Sequence, residues 1–174
     1  GTLDEQPGEH GAAHFLEHMV FKGTERRGVG EPAAAIEALG GDLNAWTSAD
    51  TTVLHATVEA EGWRAALDVL VDMARHSRID PGETERERQV VLEEVRGYAN
   101  DPAEVLADAL QAAAFPKHPY GRPIVGTADE VAALPRQALL DFWHREWGPD
   151  RAILSIVGDV DPDEAIAEAT RLLG

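Results

Sequence analysis

There is no cysteine in the 174 residues. Disulfides, thiolate metal sites and cysteine nucleophiles are thereby excluded, and any metal must be held by His, Asp or Glu. Long apolar runs are also missing. No stretch approaches the roughly 20 residues that a membrane-spanning helix needs, so membrane insertion is not expected. Positive charge is scarce: 15 Lys and Arg stand against 32 Asp and Glu, a net charge of −17. Such a chain is repelled by phosphate backbones and anionic lipid surfaces, which argues against nucleic acid as a partner. It is compatible with attraction of basic peptides. Residues 1–9 are polar and carry no signal-peptide pattern. The chain starts without Met, in what reads as a loop, which leaves an upstream segment as an expectation. The remainder, 44% hydrophobic and 27% charged, has the composition of a soluble globular protein, and its length suits one domain with a real core.

The most informative stretch is His14-Phe15-Leu16-Glu17-His18. Two histidines four apart on a helix lie about 40° from each other around the axis, one turn apart. Both imidazoles can reach one cation from the same side. Glu17 falls three residues after His14, on the flank of that face, where a carboxylate can touch a metal-bound water without ligating the metal. This is the H-x-x-E-H order of an inverted zinc-peptidase motif. The plain alternative is a surface helix with two solvated imidazoles and a salt-bridging Glu. The helix expected over residues 12–21 argues against that, because Phe15, Leu16, Met19 and Val20 cover much of its circumference. Buried imidazoles need partners, and a metal supplies one.

Downstream, Pro32 to Leu39 is predicted helical and stopped by Gly40-Gly41. Leu43–Ser48 and Thr51–Glu59 read as two strands of a hairpin, the second alternating Val53, His55, Thr57 against Leu54, Ala56, Val58. His55 reads as an ordinary strand histidine. Ala60 to Ser77 is strongly amphipathic, and Asp80-Pro81-Gly82 both breaks the chain and caps the next helix, residues 81–98. On that helix Glu87 and Glu94 lie within about 20° of each other, in the sector of the valines, while Glu93 falls on the wetted arc with Arg86, Gln89 and Arg96. Carboxylates on an apolar stripe are costly unless paired or metal-bound. The geometry therefore nominates Glu94 or Glu87, and not Glu93, as a third ligand. Helices are expected at 103–114, 129–134, 136–147 and 161–172, a Pro- and Gly-rich packing loop at 115–127, and an apolar strand at Arg151–Val157. Phe142, Trp143 and Trp147 read as packing residues.

Taken together these blocks resemble the pitrilysin/insulinase family of zinc peptidases, in its bacterial subgroup similar to the mitochondrial processing peptidase. Gly11 to Thr24, Asn44-Ala45-Trp46-Thr47-Ser48 with Asp50 and Thr52, the paired glutamates Glu87 and Glu94, His118 to Pro123, and Val157 to Val160 carry the resemblance along essentially the whole chain. It implies an α+β fold, an antiparallel sheet covered by helices. Residues 1–174 would be one domain, the catalytic N-terminal half of the family architecture, without its preceding strands or its second half. It implies Zn2+ held by His14, His18 and Glu94, with Glu17 as general base and Glu87 as an accessory catalytic carboxylate orienting the site. Phe15, Asn44, Ala45, Trp46, Thr47 and Ser48 would contact substrate, the strand pairing with an extended peptide. The implied function is zinc metalloendopeptidase acting on peptides or unfolded proteins, with a second homologous half or subunit closing the chamber. The alternative is a non-catalytic scaffold or partner subunit of the same fold. Trp46 stands where the family commonly has another aromatic. The resemblance points to a bacterial cytoplasmic protein, with a periplasmic or secreted one left open.

Overall fold

The sheet is the hairpin that the alternating pattern predicts. The computed structural model describes all residues from 1 to 174, and in it β1 (Asp42–Thr47) and β2 (Thr52–Thr57) pair antiparallel, Asp42 opposite Thr57 through Thr47 opposite Thr52. One face carries Leu43, Leu54 and Ala56, which pack with Val58 against Val20, Ile36, Ala66, Val69 and Met73. The other presents Asn44, Trp46, His55 and Thr57 to solvent. Strand side chains alternate faces, so one face enters the core while the next residue along stays wet. With two strands, β1 has β2 on one side and a free edge on the other.

Eight helices complete the fold, with α1, α2 and α3 packed on the hairpin: α1 (Ala12–Met19), α2 (Glu31–Glu37), α3 (Trp63–His76), α4 (Pro81–Asn100), α5 (Pro102–Ala114), α6 (Ala128–Ala133), α7 (Arg136–Glu146) and α8 (Pro162–Leu173). The result is α+β, as expected. The short α1 is the centre of the main core. Its Ala12, Ala13, Phe15, Leu16 and Met19 have no exposed surface and pack with Val91, Leu92 and Val95 of α4 and Leu139 and Phe142 of α7. The longest helix, α4, starts where Asp80 accepts hydrogen bonds from the Gly82 and Glu83 amides at 2.8 and 3.0 Å, with Pro81 at its first position.

The N-terminus of α1 is capped from a distance. Gly11 precedes it with φ +87°, and a side chain there would meet the Val125 carbonyl at 3.2 Å and Val131 at 3.1 Å. No local side chain caps the helix. Glu5 does so instead, accepting from the Gly11 and Ala13 amides at 3.2 and 2.9 Å. At the other end, the loop after α1 is tied to α3 through Asp72, which is fully buried and accepts from Thr24 Oγ1 at 2.6 Å and Arg26 Nε at 2.9 Å. Both ends of α1 are thus fixed by long-range carboxylate contacts, which keeps its two histidines in register with α4.

The structure differs from expectation at two places. Arg151–Val157 is not a strand. A short 3-10 turn covers Pro149–Arg151, and Ala152 to Val157 run on without a partner; Ile153 and Val157 are 97% and 94% exposed. The apolar pattern is there, but a strand exists only through ladder hydrogen bonds to a neighbour, and none lies beside it. Phe15 is the second. It sits on the inward face of α1 with no exposed surface, among core side chains, so it packs the helix and does not contact substrate. The polar residues of the motif, His14, Glu17 and His18, lie on a different arc of the helix, centred about 100° from Phe15, while Leu16 shares the core with it.

Candidate metal centre

His14, His18 and Glu94 converge. Their ligating atoms lie within 4.8 Å of one another, and no other group of three or more His, Asp or Glu side chains does so. The Glu94 carboxylate reaches His14 Nε2 at 3.6 Å and His18 Nε2 at 3.2 Å. The two rings stand edge-on, centroids 4.7 Å apart. That follows from the one-turn spacing on α1, while Glu94 arrives from the face of α4 packed against it. Glu93, one residue earlier, points to solvent and pairs with Arg96, as the helical arc predicts. Val90 lies at the margin of the same arc and is half exposed.

Burial pushes the His14 imidazole down to about 4, helped by the positive charge that His18 can carry. His14 is therefore neutral at pH 7, the form that offers a lone pair. Its Nδ1 is buried without a hydrogen-bond partner. His18 is oriented on its far side: Nδ1 lies 2.9 Å from Glu87 Oε1, and the second Glu87 oxygen is 2.7 Å from Lys22 Nζ. An imidazole that donates from Nδ1 turns the Nε2 lone pair toward a metal. Two imidazoles and one carboxylate are also the donor set of catalytic zinc sites, which leave a position open. Glu17, Glu87 and Glu94 bring three negative charges, and Lys22 is the only Lys or Arg paired with any of them. The excess is what a dication balances. On donor chemistry, orientation and charge, the residues fit Zn2+.

Glu17 stays out of the ligand group. Its carboxylate accepts a hydrogen bond from Thr47 Oγ1 on β1, and burial raises its pKa above the ordinary glutamate range against the opposing effect of that hydrogen bond. A carboxylate held beside a metal site, with raised basicity, is suited to proton transfer. His14, Glu17 and Glu94 line a cleft of about 390 Å³ with Ala45, Trp46 and Thr47. Of the five strand residues expected to meet substrate, Ala45, Trp46 and Thr47 are thus brought to the cleft, and Trp46 is 48% exposed. Asn44 and Ser48 are not among its walls. Asn44 Oδ1 accepts from the Ala45 amide, and the Ser48 hydroxyl accepts from the Asp50 and Thr51 amides in the hairpin turn.

Six wall residues are not ones the sequence places at the site: Tyr98 at the end of α4, Glu104 and Asp108 on α5, and Pro123, Ile124 and Val125 in the loop before α6. Glu104 and Asp108 are four apart, so the helical period alone places them on one face. Nothing in the sequence says which way that face points. Lys22 was also missed; it reads as a residue of the turn that ends α1, yet its spacing of four from His18 was available as a signal.

A family model described as insulinase (peptidase family M16) matches residues 1–128. An uncharacterized zinc protease of Mycobacterium leprae is 41% identical over 167 residues, covering 96% of this chain and 38% of the relative. A probable mitochondrial-processing peptidase subunit beta of Arabidopsis thaliana is 37% identical over 172 residues, 99% of this chain and 32% of the relative. Among solved structures, a protease from Helicobacter pylori superposes with a TM-score of 0.94 at 28% identity, covering 98% of this chain and 41% of that one. The chain thus spans well under half the length of the relatives it matches.

Proposed function

Because the chain belongs to the insulinase family of peptidases, M16, we propose that it forms the catalytic half of a zinc metalloendopeptidase acting on extended peptides. The observation that carries this reading is the convergence of His14, His18 and Glu94 on one point with Glu17 held just aside. When bound, zinc supplies a Lewis acid and lowers the pKa of the water it holds to about 7. The protein does the rest. His14, His18 and Glu94 hold the ion, and Glu87 orients His18. Glu17 takes the proton from the attacking water and returns it to the leaving amine. The Thr47 hydroxyl keeps Glu17 from swinging into the ligand shell. The free edge of β1 pairs with the substrate backbone, with Trp46 beside it for a side chain.

The same cleft suggests which peptides enter. Its walls include Glu104 and Asp108 in addition to Glu17 and Glu94, and burial raises the Asp108 carboxyl. A positively charged side chain placed there would lower the cost of keeping these carboxylates together, so we assign basic peptides as the preferred substrates. A second half or subunit, supplied by the rest of the protein or by a partner, closes the chamber.

The test is Glu17→Gln in the full-length protein. Zinc content is expected to stay at the wild-type level while peptide hydrolysis falls at least about 100-fold, the usual range for losing a general base. Retained hydrolysis in zinc-loaded Glu17→Gln refutes the assigned role. A zinc-loaded wild type inert to peptides favours the alternative, a zinc- or peptide-binding subunit without turnover.

A further inference from the structure

We propose that Lys22 is a positioning residue of the metal centre, acting through Glu87 on His18. The inference rests on the zinc reading above and extends it to a residue outside the ligand set. Glu87 lies on the buried side of α4, its side chain 7% exposed. A carboxylate taken out of water needs compensation, and an imidazole that keeps its Nε2 lone pair for a metal gives it a hydrogen bond but no opposite charge. Lys22 gives the charge. Its Nζ sits 2.7 Å from Oε2, while Oε1 faces His18 Nδ1 at 2.9 Å. The ammonium occupies one oxygen and so leaves the other for the ring.

The arrangement is directional. Lys22 lies one turn beyond His18, where α1 has ended at Met19 and the Lys22 amide closes the turn on the Met19 carbonyl at 3.0 Å. The side chain therefore approaches Glu87 from the end opposite to Glu94. Without Lys22, an uncompensated buried carboxylate is free to turn toward solvent, and His18 loses the acceptor that aims its Nε2. Outer-sphere partners of this kind commonly govern metal affinity by 10- to 100-fold.

The experiment is a double-mutant cycle on zinc affinity in the full-length protein, using Lys22→Gln, Glu87→Gln and both together, read by competition with a chromophoric chelator. Lys22→Gln is expected to weaken zinc binding about 10-fold, and the double variant to bind within about 3-fold of Glu87→Gln alone, because one path carries both effects. The visible spectrum of the cobalt-substituted protein gives a second readout: Lys22→Gln and Glu87→Gln should shift its ligand-field bands in the same way, whereas a merely destabilised fold would leave the bands of the folded fraction in place. Lys22→Arg, which keeps the charge, covers the case in which Lys22→Gln fails to fold; it is expected to hold zinc more tightly than Glu87→Gln. Zinc affinity of Lys22→Gln within 2-fold of wild type, or losses that multiply in the double variant, or Lys22→Arg no better than Glu87→Gln, overturns the proposal. Failure of the wild type itself to bind zinc would instead strike the metal reading beneath it.

Discussion

Glu104 and Asp108 show how much a single face of a single helix decides. They line the same cleft as Glu94 and add negative charge there from outside the group that converges on one point. Replacing them with Gln and Asn should raise KM for peptides bearing Arg or Lys by about 10-fold, the effect of roughly 1.4 kcal/mol of lost charge pairing. KM for uncharged peptides of the same length should stay within about 2-fold. Equal loss on both substrate classes would mean that these residues support the wall and do not read the side chain. Residues of this kind escape a sequence reading for a physical reason. Their spacing is visible, but the rotation of α5 about its own axis is set by its contacts with α4 and with the turn at Pro119–Gly121.

At the scale of elements, α1 is the part whose properties matter most, and its N-terminus carries an unusual cap. Burial pushes the Glu5 carboxyl up to about 7, against the two amide hydrogen bonds that favour its charged form. The folded protein therefore holds this proton more tightly than the unfolded chain, in which the group titrates near 4.5. The stabilisation from Glu5 is complete below that lower value and declines as pH rises toward about 7. Glu5→Gln keeps one acceptor oxygen, enough for the Ala13 or the Gly11 amide but not both, and removes the titration. Thermal melts between pH 4.5 and 7 should show a flatter pH dependence in the variant than in the wild type. An identical dependence would mean that Glu5 titrates normally.

Elements differ in how openly the sequence announces them. α1, α3 and α4 were legible because their apolar residues recur at the helical period and their ends carry caps or breakers, as Asp80-Pro81 does. The hairpin was legible from its alternation. The convergence of His14, His18 and Glu94 was legible in outline, because each helix separately places its donors on an inward arc. That the two arcs meet depends on packing between α1 and α4, and there the family resemblance added what periodicity lacks. Phe15 belongs to the motif by sequence but not to the site, because the helical period turns that residue inward. Ala152 to Val157 were misread because composition announces a wish to be a strand, not the presence of a partner.

For the molecule as a whole, the apolar surface is unevenly distributed. Leu154, Ile156, Val160 and Ile166 line an open groove of about 520 Å³ beside α8, away from the metal centre. Ile153 and Val157 stand almost entirely in solvent at its margin. Side chains that exposed contribute little to folding, so Ile153→Lys with Val157→Lys should leave Tm within about 2 °C, as expected for surface changes of about 0.5 kcal/mol or less. The same pair of lysines should raise the concentration at which the chain remains monodisperse in light scattering. A large fall in Tm would show that these residues are packed in solution. Polypeptides whose backbone amides and carbonyls stand idle along an oily ribbon behave like an open zipper: the next compatible edge to drift past can close it. Purified in isolation, this stretch of sequence will reward dilute handling and added charge far more than any effort to reinforce its interior.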